Sequence, residues 1–306
     1  MAGLKELRTR ISTIKSTQKI TSAMKMVAAS RLRKTQGLIS KSEFYNNNLL
    51  ASANRLIFEL KQQEEITGEA VAWPRLMSGT GQDKKYLLLV FTSDRGLCGS
   101  YNTAVAKEAA RRIEELKAEG KEVLIYCVGK KGSDILKRKY ADLIVGTKEG
   151  VSSKGAKYYE ASDIGYYILD AYNKGEIDAC EVVVSHFRSA INREIKSGPL
   201  LPVKIEDYEY NKLHVPTNVV RGAFYDYEPG KMQLLEGILP LIFRGSIFQA
   251  IVHSQASEHG ARMTSMDNAT RNASEMINKL TIKYNRIRQT AITTELIEII
   301  SGAEAL

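Results

Sequence analysis

The residues equipped for chemistry are few, and their spacing does not favour it. The loop Thr92-Ser-Asp-Arg-Gly-Leu-Cys-Gly99 follows the apolar run Lys85–Phe91, so Asp94 and Arg95 stand where a doubly wound sheet would carry a reactive pair. Neither a base nor a nucleophile accompanies them, and an ion pair within the loop is the expectation. Gly96 and Gly99 fall short of the three-glycine turn of a dinucleotide site. Gly150-Val-Ser-Ser-Lys-Gly155-Ala-Lys resembles a phosphate-binding loop but lacks the Gly-Lys-Ser/Thr end that would place a lysine on phosphate and a hydroxyl on Mg²⁺. Tight turns between strand and helix need such glycines in any case. His186, His214, His253 and His259 show no metal-ligand spacing and no cysteine partner. The three cysteines, Cys98, Cys127 and Cys180, fit neither a disulfide framework nor a Cys-x-x-Cys site, and they point to a reducing compartment. These patterns assign no catalytic residue, no cofactor and no metal.

The elements around these residues say more. The chain has 306 residues, 43% apolar and 26% charged, enough for a real core and about two domains. The longest clean apolar run, Tyr86–Phe91, is far below the ~20 residues of a membrane span. No secretory signal follows Met1, so the reading is a soluble intracellular protein. The net charge of +9 has one location: residues 1–41 hold ten Lys or Arg against the single acid Glu6, and the remainder balances. Such an arm fits nucleic acid, an anionic membrane or an acidic protein, and charge alone does not choose.

All six prolines lie between Pro74 and Pro240. Proline breaks helix interiors, so the two proline-free ends are free to form long helices. Leu4, Leu7, Ile11 and Ile14 run at helical spacing. The stripe then meets the polar stretch Lys15–Lys19, read as a weak packing point, and resumes on a shifted face at Ile20, Met24 and Val27. Near the other end, Met263, Met266, Thr270, Ala273, Ile277, Leu280, Tyr284, Ile287 and Ala291 alternate steps of three and four, a coiled-coil seam. After Ala291 the apolar positions Ile292, Leu296 and Ile299 move to another face, so pairing is expected to end there. Neither end can bury its stripe alone, and the simplest solution pairs them antiparallel. Four apolar positions against eight suggest a register with Leu7 near Leu280, and Ile11 near Ile277 or Ala273.

Between them the grammar changes. Strands are expected at 85–91, 122–128, 142–145 and 180–187, and helices at 102–118, up to Tyr140, and 158–173, which predicts βαβ units and a mostly parallel sheet. Residues 191–205, with Pro199 and Pro202, read as an edge hairpin leading away. The fold class is therefore a central Rossmann-like α/β domain plus a long antiparallel two-helix coiled coil made by the chain ends. The expected divisions are 1–73, 74–208 and 209–306.

Two terminal motifs carry a resemblance across the whole chain. Thr17-Gln-Lys-Ile-Thr-Ser-Ala-Met-Lys-Met-Val-Ala-Ala-Ser-Arg31 closely resembles the N-terminal helix of the gamma subunits of F-type ATP synthases, and Ile292-Thr-Thr-Glu-Leu-Ile-Glu-Ile-Ile-Ser-Gly-Ala-Glu-Ala305 resembles their C-terminal signature. Ser93–Gly99 is also family-like. In that signature the matching residues include Ile292, Thr293, Glu295, Glu298, Gly302 and Ala303. The match starts at residue 2, which suggests no transit peptide and a bacterial source. The cysteine spacing lacks the pair of the redox-regulated chloroplast members. The resemblance implies a non-catalytic central-stalk rotor, its coiled-coil shaft inside a ring of three alpha and three beta subunits. The central domain would sit against the epsilon subunit and the c-subunit ring, on the cytoplasmic side of the inner membrane. Catalysis would belong to the beta subunits, with rotation coupling proton flow to ATP synthesis or hydrolysis. The basic arm then reads as a cationic surface meeting acidic beta-subunit loops, centred on Met24, Lys25 and Met26 with Lys19 and Arg31. Two rivals remain: a nucleotide-dependent α/β enzyme, and a nucleic-acid-binding coiled coil, against which the lack of aromatics before Phe44 counts.

Overall fold

A computed structural model describes residues 2–151, 155–190, 192–205 and 226–304. Helix α1 spans Ala2–Thr67 and α6 spans Lys231–Glu304, 66 and 74 residues. At ~1.5 Å per residue each is about 100 Å long. Helices of this length have little reason to persist in water unless one face is buried, and these two bury theirs against each other. Gln18 donates to Ser274 at 2.6 Å, Thr21 meets Thr270 at 2.7 Å, and Lys25 pairs with Asp267 at 2.6 Å. Farther along, Gln249 donates to the Ser42 carbonyl at 3.3 Å. Residue numbers fall on one helix as they rise on the other, with a constant total of 291 or 292. The pair is antiparallel.

Three expectations are corrected, the first by that register. It places Leu7 opposite Tyr284 and Ile11 opposite Leu280, one turn from the anticipated alignment, because the polar pairs and not the counts of apolar residues pin it. The α1 stripe does not change face: Ile20 and Met26 are 61% and 65% exposed and Val27 is exposed, while Thr21, Ala28, Leu32, Thr35 and Ser42 continue the original phase as buried positions. Of the stretch 15–19, only Gln18 turns inward, and it is hydrogen-bonded. Third, α6 begins nine residues before Pro240. Leu235, Leu239, Ile242 and Phe243 are all fully buried around it, and burying four such side chains at ~1.5–3 kcal/mol each outweighs the ~3 kcal/mol of an interior proline. The length and apolarity of α6 would let it span a bilayer, but half of that stretch is buried inside the protein.

Between the long helices come α2 (Arg75–Ser78), β1 (Lys85–Phe91), α3 (Tyr101–Ala118), β2 (Glu122–Val128), α4 (Lys130–Tyr140), β3 (Ile144–Lys148), α5 (Tyr158–Lys174), β4 (Ala179–Phe187) and β5 (Arg193–Leu201). Residues 141–143 form a 3₁₀ turn, which delays β3 by two residues relative to the expectation. Among the described residues the sheet runs β3-β2-β1-β4-β5, parallel except for β5. β5 is itself the edge strand, antiparallel to β4. Pro199 sits in it opposite Glu181, beside a register shift, where a missing donor does least harm. Alternate β1 residues face opposite cores. Leu88 and Val90 pack with α3 residues Val105, Ala109 and Ile113, whereas Leu87, Leu89 and Phe91 pack with Ile164 and Ile168 of α5, Leu56 of α1 and Leu239 of α6. The shaft is thus rooted in one face of the sheet. The anticipated boundary at 208/209 and His214 lie outside the described residues.

Candidate functional site

In an open α/β sheet, ligands bind beyond the carboxyl ends of the strands, where the chain order reverses. Here that point lies between β1 and β4, and the helix start next to it, on the β2 side of β1, is already occupied by the protein's own groups. The Thr92 hydroxyl accepts from the Gly132 N–H at 2.8 Å, the Ser93 carbonyl accepts from the Lys131 N–H at 2.9 Å, and Asp94 Oδ1 accepts from the Lys130 N–H at 3.2 Å. The start of α4, which could have cradled an anion, is therefore capped by the end of β1. Asp94 is this cap rather than half of a loop ion pair.

The second half of the crevice is closed by α6. Ser254 Oγ meets Tyr101 Oη at 2.6 Å, Ser257 donates to the Ser185 carbonyl at 2.9 Å, and Gln255 donates to the Val151 carbonyl at 2.8 Å. Arg262 donates to the Gly96 carbonyl at 3.1 Å and pairs with buried Glu258 at 2.5 Å. Burial holds the Glu258 carboxyl above its ordinary value, with Arg262 opposing the shift. A Cβ added at Gly260 would stand 3.3 Å from the Ala190 backbone, so helix and loop touch closely here. Within the loop, Leu97 holds a left-handed φ of 65° and is 63% exposed.

The other candidate groups are dispersed. Lys157 is exposed over the Tyr159 ring, and residues 152–154 of the phosphate-loop-like stretch lie outside the described residues. His259 is buried beside Glu258 and kept neutral, its value pushed down to about 4 by burial. The three cysteines are buried and unbridged, and burial pushes the Cys127 thiol up to about 12 and Cys98 and Cys180 upward as well. Thiols held protonated in this way are poor nucleophiles.

The crowding around Thr92 makes a direct prediction. A Cβ at Gly132 would lie 2.6 Å from both Oγ1 and Cγ2 of Thr92, and that threonine is already bound on three sides. Gly132→Ala is expected to destabilise the chain by about 1–3 kcal/mol, the usual cost of overpacking, read as a lower urea midpoint at unchanged slope.

The shaft is the second candidate. Lys5, Arg8, Lys15, Lys19, Arg31, Arg33 and Lys34 point into solvent. Met24 is half-buried, and Lys25 spends part of its charge on Asp267, whose carboxyl it holds below the usual range together with Arg271. Leu4, Leu7, Ile11 and Ile14 are half-buried on the seam; along α6, Met266 is buried, Met263, Ile277 and Leu280 are half-buried, and Ile287 is more open. In this register Ala2, the first described residue of α1, stands opposite about residue 290 of α6. Ile292, Leu296, Ile297, Ile299 and Ile300 are all exposed beyond it, with Thr293, Glu295 and Ala303. The side chains of Glu298 and Gly302 lie outside the description. The polar seam residues Gln18, Thr21, Asp267 and Ser274 escaped the sequence reading. Continuing the 3-4 step of Leu4–Ile14 without a break through positions 18 and 21 would have found the first two.

The family model of the ATP synthase family described as "ATP synthase" matches residues 3–306. Among curated relatives, the ATP synthase gamma chains of Rhizobium johnstonii and Rhodospirillum rubrum are 44% and 43% identical, each over all of both chains. Among solved structures, a chain of the Euglena gracilis mitochondrial ATP synthase, OSCP/F1/c-ring, superposes with a TM-score of 0.63 at 21% identity, over 99% of this chain and 94% of that one. A chain of the Tetrahymena thermophila mitochondrial central stalk/c-ring gives 0.56 at 24%, over 82% and 99%. Those two likenesses establish the fold, and the full-length identity to the bacterial proteins establishes the family: this chain belongs to the gamma chains of ATP synthase.

Proposed function

We propose that the chain is the central-stalk rotor of a bacterial F-type ATP synthase and carries no active site of its own. The single observation behind this reading is the antiparallel pairing of two helices about 100 Å long, rooted in a domain whose ligand crevice is filled by its own α6. A stiff eccentric rod is what transmits torque, and a sealed crevice leaves catalysis to other subunits. In this reading the shaft stands inside three alpha and three beta subunits, whose nucleotide affinity it changes in turn. The central domain, about 74–208, meets the epsilon subunit and the c ring, while segments 1–73 and 209–306 build the shaft. The complex attaches peripherally to the cytoplasmic side of the inner membrane.

Exposure supports the reading of individual residues. Lys19, Met26 and Arg31 face outward and are positioned to meet acidic beta-subunit loops; Met24 and Lys25 support them from the seam. The bare apolar turns after Ile292 suit an apolar sleeve at the head of the ring. The test is co-purification at native expression. A tagged chain is expected to bring down a membrane-attached ATPase with alpha and beta subunits in equimolar amounts. Recovery of the chain free of any ATPase would reject the rotor.

A further inference from the structure

The shaft is not uniform along its length. Toward the sheet, Ala28, Leu32 and Leu56 of α1 and Ile247, Val252 and Ala256 of α6 are buried. Outward of Thr21 on α1 and of Ala273 on α6, no described side chain is buried. Leu4, Leu7, Ile11 and Ile14 reach only half-burial there, and so do Ile277 and Leu280. The change falls at the polar layers Gln18–Ser274 and Thr21–Thr270. Resistance to local opening follows buried apolar contact, so the outer section is the weaker of the two.

Its composition weakens the helix further. From Thr9 to Thr21, nine of thirteen residues are Ser, Thr or Ile, types of lower helix propensity. Thr9, Thr13, Ser16 and Thr17 donate to the carbonyl four residues earlier at 3.0–3.2 Å, as Thr281 and Thr290 do on α6. Bonds of this kind slightly destabilise a helix.

Charge acts in the same direction. Residues 2–17 carry Lys5, Arg8, Arg10 and Lys15 against Glu6. Residues 275–290 carry Lys279, Lys283, Arg286 and Arg288 against Glu275. All of these cations are exposed, and among the described residues none pairs with a carboxylate. The register sets Lys5 level with Arg286 and Arg8 level with Lys283, and like charges at one level oppose pairing. At ~100° per residue, each helix bears its cations on both flanks of the seam and on its back. A flat anionic surface meets only one side of a rod. The complement to this section is an acidic collar that encloses it.

We propose that the outer section of the shaft, residues 2–17 against 275–290, is a conditional coiled coil: in the free chain it opens and recloses far more readily than the root, and an acidic protein collar around it holds it shut. The collar rests on the rotor reading, whereas the weakness of the section rests on its own residues. Reclosing restores the same register, so the rod is completed by assembly.

Hydrogen exchange, read by mass spectrometry on the full chain, tests this before and after assembly with alpha and beta subunits. In the free chain, amides of 5–17 and 277–290 should exchange about a hundredfold faster than those of 28–60 and 235–262. In the complex they should slow at least tenfold. Raising NaCl from about 50 to about 500 mM screens the like charges and should slow outer exchange several-fold in the free chain. Lys283→Glu, which sets a carboxylate level with Arg8, should do the same at low salt, and Lys107→Glu on the exposed face of α3 should not. Equal protection along the shaft, or outer exchange indifferent to both salt and Lys283→Glu, would overturn the proposal and leave the rotor reading standing. Fast outer exchange that persists in an assembled complex would remove the collar. Failure to assemble any complex would reject the collar together with the rotor reading.

Discussion

Added to purified alpha and beta subunits, this chain is expected to take ATP hydrolysis from background to cooperative turnover on the scale of ~1–100 s⁻¹, the range usual for enzymes of phosphoryl transfer. Alone it should hydrolyse none. The physical ground is the crevice between β1 and β4. The start of α4 is capped by Thr92, Ser93 and Asp94, and Ser254–Arg262 of α6 occupy the remaining space. An enzyme reading would put its chemistry on Asp94 or Lys157, so Asp94→Asn and Lys157→Ala provide the control. Both variants should reconstitute turnover within about twofold of the parent, since a cap substitution costs only ~0.5–2 kcal/mol of stability and Lys157 is on the surface. Measured ATP hydrolysis by the isolated chain that is lost in either variant would transfer the function from rotor to enzyme.

The second expected result is all-or-none. A disulfide forms readily only where Cα atoms come within ~7 Å, so oxidation of paired cysteines measures the shaft. With Leu7→Cys held fixed and the second cysteine placed in turn at 277, 280, 284 and 287, one maximum is expected at Tyr284→Cys. Moving the first cysteine to Ile11 should move the maximum to Leu280→Cys, one turn back along α6, as antiparallel helices require. Cys98, Cys127 and Cys180 can stay in place, because burial keeps them protonated and out of reach of oxidant. A maximum displaced toward 287 on moving to Ile11 would mean parallel helices, and an absence of cross-links would mean that the ends do not meet.

The same register decides how the shaft tolerates polar layers. Gln18, Thr21 and Lys25 each find a partner on α6, so these three polar groups of the seam are satisfied. Such layers add little net energy. They do penalise a slipped register, which would leave Asp267 and Thr270 against apolar or unpartnered positions.

Much of this architecture was legible in the chain itself, for physical reasons that are local. The 3-4 spacing from Met263 to Ala291 can bury one face only as a helix against a partner. Proline placement leaves both ends free to be long, and runs such as Lys85–Phe91 and Glu122–Val128 suit strands covered on both faces. The surplus of charge confined to residues 1–41 located the cationic surface before any fold was known. What the chain could not state concerns groups that meet across long separations. Gln18 and Thr21 look like a break in the stripe until Ser274 and Thr270, some 250 residues away, satisfy them. Ile20 and Val27 look like a resumed stripe until the helix phase turns them to solvent. Asp94 looks reactive until α4 presents an N–H for it to cap, and His186 and His253 look like isolated imidazoles until the shaft's root brings their rings to 4.4 Å. Periodicity records only which face of an element turns inward. Which polar group is satisfied, and which crevice is filled, depends on the partner that tertiary packing places opposite.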